Sequence, residues 1–274
     1  MQSPPRERAG VRGNGTLAMQ PPLHFETRGH GRPLVVLHGL FGSLDNWHTV
    51  SNQLAPHFQV LALDQRNHGH SFHSPEMGYP LMARDLLDFL ERQGLGRVSL
   101  LGHSMGGKTA MEFALRYPAR LDRLIVVDIA PRAYSPRHRH ILDALLSLDL
   151  AAGSSRQQLD AALAPAIPAK VTRQFLLKSV ERNARGVFRW RMNLQGIANN
   201  YGRLCETLGP GRTCTRPALF IRGGESDYLL DEDFDSIRRL FPQAQFQTLA
   251  GAGHWVHADA PQPFVRTALE FLLD

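Results

Sequence analysis

The sequence predicts an α/β fold: a mostly parallel sheet with helices on both faces and a helical cap inserted between two core strands. Three observations predict it. Continuous apolar runs such as Leu34-Val35-Val36-Leu37 and Leu124-Ile125-Val126-Val127 alternate with amphipathic helical runs, and parallel neighbours need such crossovers. Gly102-His103-Ser104-Met105-Gly106, a Gly-x-Ser-x-Gly, joins a strand-like run directly to a helix-like one. The alternation stops after Pro131 and resumes only at Pro217. At 274 residues, 43% of them hydrophobic, the chain has the length and apolar share for one α/β domain carrying an insertion. Residues 23–130 and 212–274 are expected to form the core and 131–211 the cap.

Taken in order, residues 1–22 are rich in Pro, Gly and Arg and read as a disordered leader, with Met19 an alternative start to Met1. The run Leu34–Leu37 is a strand buried on both faces, and it ends in His38-Gly39-Leu40-Phe41-Gly42. Two glycines around a bulky pair make a loop whose N–H groups can face inward. His38 is expected to tie that loop down by hydrogen bonds. Trp47–Leu54 reads as a short helix, and Val60–Leu63 as a strand running into Asp64-Gln65-Arg66-Asn67-His68-Gly69-His70-Ser71. His68, His70 and His73 have no cysteine or carboxylate at ligand spacing, so a hydrogen-bonded loop is expected and no metal. Tyr79–Gln93, with Leu81, Leu86, Leu87 and Leu90 on one stripe, is an amphipathic helix ended by Gly94 and Gly96.

Val98–Leu101 is the next strand, Lys108–Tyr117 a helix, and Leu124–Ile129 a further strand. The cap is expected to be all-helical, with Ile141–Leu148, Ser155–Leu163 and Val171–Ser179 its clearest pieces. Its inward faces would offer Leu142, Leu145, Leu146, Phe175 and Leu176, either to an acyl chain or to ordinary packing between cap and core. Its polar side carries Arg132, Arg137, Arg139, Arg182, Arg185, Arg189 and Arg191, either a solvated charged face or a rim that would suit a phosphate-bearing leaving group such as coenzyme A. Pro217–Arg222 is a strand leading into Gly223-Gly224-Glu225-Ser226-Asp227-Tyr228. Phe234–Leu240 is a helix, Phe246–Leu249 a strand leading to Gly251-Ala252-Gly253-His254, and Ala260–Leu273 a closing helix.

Composition bounds the partners. The net charge is +6, but no basic block is interleaved with aromatics, so nucleic acid is not expected. No apolar run approaches the ~20 residues of a membrane span. Cys205 and Cys214 form neither a metal-type pair nor a disulfide framework, which places the chain in a reducing, cytoplasmic setting. The oligomeric state is left open.

The chemistry centres on Ser104. Gly-x-Ser-x-Gly between strand and helix is a nucleophile elbow, with Gly102 and Gly106 removing side chains that would collide in so tight a turn. A serine hydroxyl needs a base to take its proton and a third group to orient the base. Ser104, Asp227 and His254 stand in the chain order of such a triad, each in a loop after a core strand. The N–H groups of Leu40 and Met105 are the expected oxyanion donors. His257 reads as a supporting residue.

These motifs resemble the α/β-hydrolase superfamily, and within it the YbfF-type bacterial esterases. The closer likeness rests on His38-Gly39-Leu40-Phe41-Gly42-Ser43 with Asp45-Asn46-Trp47, and on Asp64-Gln65-Arg66-Asn67-His68-Gly69. Gly102 to Lys108, Val127-Asp128-Ile129-Ala130-Pro131 and Gly251-Ala252-Gly253-His254-Trp255 complete it, and it spans about His24 to Asp274. The resemblance implies the α/β-hydrolase fold and cofactor-free hydrolysis of carboxylic esters or acyl thioesters. It also implies an alternative acid, Asp128, because that branch can draw its acid from the strand before the cap; Asp227 remains the first choice. A serine at the elbow argues against haloalkane dehalogenase and epoxide hydrolase chemistry, which need a carboxylate there. The same triad serves C–C bond hydrolysis and cofactor-free peroxidase-like reactions, and a non-catalytic ligand receptor can retain it.

Overall fold

The structure is a computed structural model that describes residues 21–152, 155–209 and 211–274. Almost all of the expected leader, Met19 included, lies outside the described residues. The chain opens with β1 (Phe25–Arg28), β2 (Arg32–Leu37), α1 (His48–Leu54), β3 (Phe58–Leu63), α2 (Tyr79–Arg92) and β4 (Val98–His103). It continues through α3 (Met105–Arg116) and β5 (Leu121–Val127) into the insertion. The insertion carries α4 (Arg139–Ser147), α5 (Arg156–Leu163), α6 (Lys170–Leu177), β6 (Val180–Arg182), β7 (Phe188–Trp190) and α7 (Leu194–Cys205). The chain then returns through β8 (Ala218–Gly223), α8 (Phe234–Leu240), β9 (Ala244–Leu249), α9 (Val256–Asp259) and α10 (Pro261–Leu273).

Seven strands form one sheet in the order β1-β3-β2-β4-β5-β8-β9, parallel throughout except for the antiparallel edge pair β1–β3. Successive residues of a strand point to opposite faces, and here both faces are covered. Val35 and Leu37 pack with α2 and α3 residues such as Leu86 and Phe113, whereas Leu34 and Val36 pack with Val50 and Leu54 of α1 and Phe264 of α10. Burial on both sides is the reason these strands read as unbroken apolar runs. β1, whose middle residues are exposed, gives no such signal.

The insertion leaves from the end of β5 and re-enters before β8, so it lies over the carboxyl ends of the strands. It is not all-helical: Val180–Arg182 and Phe188–Trp190 pair as an antiparallel ribbon closed by a turn with Gly186 at φ 76°. The β-branched and aromatic residues Val187, Phe188 and Trp190 beside that glycine are the local cause. Leu142, Leu145 and Leu176 are buried and continuous with the α2–α3 side of the core, Leu146 is exposed, and Phe175 is half-buried. Lys108 of α3 is buried and donates to the carbonyls of Arg132 (2.7 Å) and Glu206 (2.6 Å), tying both ends of the insertion to the helix that follows Ser104. No helix among the described residues is long and apolar enough to cross a membrane.

The loop after β3 is anchored by a buried ion pair. Arg66 reaches both oxygens of Asp85 on α2, at 2.5 and 2.6 Å, and donates to the Glu76 carbonyl at 2.8 Å. Removing one partner of a buried pair leaves the other charge uncompensated. Asp85→Ala is therefore expected to lower the unfolding free energy by about 3–5 kcal/mol, read as a fall in the urea midpoint.

Candidate active site

Among the described residues, four non-glycine residues have positive φ, and each follows the carboxyl end of a different core strand: Phe41, Asn67, Ser104 and Asp128. Backbone strain of this kind gathers where a site has to be held open. At Ser104 φ is 52° and ψ −116°, the sharp strand-to-helix turn expected of an elbow. A methyl group on Gly106 would meet the Leu37 carbonyl oxygen at 2.5 Å, and one on Gly102 would meet that of Gly106 at 2.2 Å. Both glycines are thus required by close backbone approach. The turn is held by the Ser104 N–H donating to the Val127 carbonyl at 3.0 Å.

The Ser104 Oγ lies 3.1 Å from His254 Nε2, and His254 Nδ1 lies 2.7 Å from Asp128 Oδ2. A carboxylate only accepts, so Nδ1 carries the hydrogen and Nε2 is left to accept from the serine hydroxyl. Asp128 is fully buried, and its carboxylate also accepts from the Gly223 N–H (3.0 Å) and the Ser226 hydroxyl. Those bonds fix the plane of the carboxylate. The imidazole is held from two further sides. Tyr228 stacks on it with 3.8 Å between ring centres, and His103 Nε2–H donates to the His254 carbonyl at 2.8 Å.

The structure brings Ser104, His254 and Asp128 together and leaves Asp227 outside. The Asp227 carboxylate is 63% exposed and pairs with Arg137 at 2.7 Å, and that hydrogen bond holds its pKa below the ordinary carboxylate value. The carboxylate set against His254 is thus that of Asp128, the alternative, and not that of Asp227, the first choice. The loop chosen from sequence does reach the site, but through its other residues. Ser226 buttresses Asp128 and Tyr228 covers His254, while Asp227 between them faces away. Neither Ser226 nor Tyr228 had been singled out; their signal was adjacency to a chosen residue in a loop at a strand's carboxyl end.

Leu40 and Met105 both border the space at Ser104. A methyl on Gly39 would sit 3.3 Å from Ser104 Cβ, so the loop after β2 passes directly over Ser104. The Leu40 N–H has no acceptor among the described residues, and Met105 N–H is the first of α3, where helical donors lack intrahelical partners. His38 ties the loop as expected, with Nδ1–H donating to the Gly39 carbonyl at 2.8 Å and Nε2 accepting from the Gln65 N–H at 3.1 Å. His68 does the same one layer away, accepting from the Phe41 N–H at 3.2 Å. His73 is bonded to the Arg191 carbonyl.

Five of the seven rim arginines pair with carboxylates. Arg132, Arg137, Arg139, Arg189 and Arg191 pair with Asp233, Asp227, Asp143, Glu181 and Asp45 respectively.

Burial lowers three nearby histidines: His68 and His257 to about 3 and His138 to about 4. These folded-state values lie below the ordinary 6.5, so the unfolded chain binds the extra protons. Their contribution to stability is full above about pH 6.5 and is lost as pH falls toward 3–4. Stability should drop between about pH 7 and pH 5, with proton uptake on unfolding measured by calorimetry in two buffers. A flat profile there would contradict the assignment.

Residues 32–261 match the family described as alpha/beta hydrolase fold. The chain is 37% identical to esterase YbfF of Escherichia coli K12, over 88% of this chain and 93% of that one. It is 39% identical to the mouse (Mus musculus) sn-1-specific diacylglycerol lipase ABHD11, over 87% of this chain and 80% of the relative. A solved structure of a marine microorganism esterase superimposes with a TM-score of 0.90 at 42% identity, covering 92% of this chain and all of that one (100%).

Proposed function

Because the chain belongs to the α/β-hydrolase fold family, among relatives named as esterases and a lipase, we propose that it is a serine esterase acting on carboxylic esters through an acyl-enzyme. The observation that carries this reading is the run Ser104 Oγ, His254 Nε2, His254 Nδ1, Asp128 Oδ2, with contacts of 3.1 and 2.7 Å. His254 takes the Ser104 proton as Oγ attacks the ester carbonyl carbon. The carbonyl oxygen gains the negative charge and is held by the Leu40 and Met105 amides. As the tetrahedral intermediate collapses, His254 passes the proton to the leaving alcohol oxygen and the acyl group stays on Ser104. Water then attacks the acyl-enzyme with His254 again as base, releasing the acid and returning the proton to Ser104. Asp128 orients the ring and stabilises the imidazolium in both steps.

No metal or cofactor enters these steps, and no observation favours C–C bond hydrolysis, peroxidase-like chemistry or a receptor role. Acyl thioesters are open to the same attack, and with five of the seven rim arginines already paired with carboxylates no observation favours coenzyme A over a neutral leaving group. A fluorophosphonate probe tests the reading. One probe molecule per chain, on the peptide carrying Ser104, with parallel loss of ester hydrolysis, is expected. Unlabelled Ser104 in an ester-hydrolysing preparation would overturn it.

A further inference from the structure

The space at Ser104 divides into two limbs of very different size. The large limb holds about 710 Å³ and is bordered by His254, Trp255, Phe175 and Ile141. The small limb holds about 50 Å³ and is bordered by Met105, Tyr79, Ile129, Tyr201 and Leu204. Ser104, Leu40, His138 and Tyr228 line both and mark the junction. His254 borders only the large limb, and Met105 only the small one.

That asymmetry assigns the two ends of an ester, given the serine-esterase reading on which it rests. The carbon under attack carries four groups in the tetrahedral intermediate: Ser104 Oγ, the oxyanion, the leaving oxygen and the acyl substituent. The oxyanion belongs between the Leu40 and Met105 amides. The leaving oxygen has to lie within hydrogen-bond reach of His254 Nε2 to receive its proton, which directs the alcohol into the large limb. The remaining direction is the small limb. We infer that the protein is selective for esters of short acyl groups with bulky alcohols, the acyl group of acetyl or propionyl size seated between Met105, Tyr79 and Leu204.

The size of the small limb sets the limit. A cavity of about 150 Å³ takes a benzene molecule, so 50 Å³ has room for one or two carbons. Its end wall is braced. Tyr79 donates its hydroxyl to the Leu204 carbonyl at 2.7 Å, and the Tyr201 hydroxyl accepts from the His138 N–H at 2.8 Å. Tyr79, Tyr201 and Leu204 are all buried, so the wall does not open by a simple side-chain swing.

The test uses the wild-type protein and two ester series. In the first, ethanol is esterified with acids from acetate to octanoate; in the second, acetate is carried by alcohols from ethyl to decyl. Each methylene that a full pocket rejects is worth about tenfold or more. kcat/KM is expected to fall by at least about a hundredfold from acetate to octanoate in the first series and to hold or rise along the second. Leu204→Ala, which deepens the small limb, should raise the butanoate-to-acetate ratio by about tenfold. Octanoate handled as well as acetate, or a fall along the alcohol series, would overturn the subsite assignment while leaving the esterase reading intact. Failure to hydrolyse any ester in either series, with Ser104 unlabelled by fluorophosphonate, would overturn the esterase reading itself. The substrate series needs no variant, so poor folding of Leu204→Ala would not rescue the assignment.

Discussion

Asp128→Asn should lower kcat for ester hydrolysis by about 10⁴ while Asp227→Asn changes it by less than about threefold. The reason is the tautomer. Asp128 accepts from His254 Nδ1–H at 2.7 Å, which leaves Nε2 free to take the serine proton. An amide in its place can turn its NH₂ toward Nδ1, and Nε2 then carries the hydrogen and faces Ser104 as a donor, unable to act as base. The buried carboxylate also accepts from Gly223 and Ser226, so the amide is unable to satisfy all three neighbours at once. Asp227 offers the contrast. Its pair with Arg137 is solvent-exposed, and such pairs contribute about 0–1 kcal/mol. Steady-state kinetics on one ester, with circular dichroism to establish folding, separates the two. A severe loss in Asp227→Asn alone would restore the chain-order assignment.

Ser104→Ala is expected to have the larger effect, about 10⁶ in kcat, with a residue of rate left by the oxyanion donors and substrate binding. Folding should be retained, because among the described residues the Ser104 hydroxyl bonds only to His254. Ser104→Gly adds a second readout. Glycine adopts the φ 52°, ψ −116° conformation without strain, and a strained non-glycine residue costs on the order of 1–3 kcal/mol. Part of that should be offset by the greater freedom of glycine in the unfolded chain. The glycine variant should therefore be inactive and at least as thermally stable as the alanine variant. A glycine variant clearly less stable than alanine would mean that the elbow stores no strain.

The strands buried on both faces were legible because double burial writes a continuous apolar run, and the elbow was legible because its glycines are dictated by backbone approach. Ser104, His254 and the loop at Leu40 followed from those two facts. The acid did not. Asp128 and Asp227 both end up on loops at the carboxyl edge of the sheet, and spacing along the chain says nothing of which way a side chain turns. What decided it was Arg137, a partner contributed by the insertion ninety positions away, which draws Asp227 outward. The partners of the rim arginines were illegible for the same reason: the carboxylates that pair with Arg132 and Arg191, Asp233 and Asp45, come from distant parts of the core. The β6–β7 ribbon was missed because three-residue strands leave no periodicity to read. Exposed β1 was missed because half-buried edges lack the apolar run.

The central claim is that Ser104, activated by His254 and Asp128, carries the acyl group between two half-reactions. Intact-protein mass spectrometry after acid quench of a reaction with p-nitrophenyl acetate tests it most directly. The chain should gain one acetyl group within the dead time, located by peptide mapping on the peptide containing Ser104 and absent from Ser104→Ala, and Asp128→Asn should acquire it far more slowly. Rapid p-nitrophenol release with no acetyl on the chain, or with the acetyl on another residue, would contradict the account.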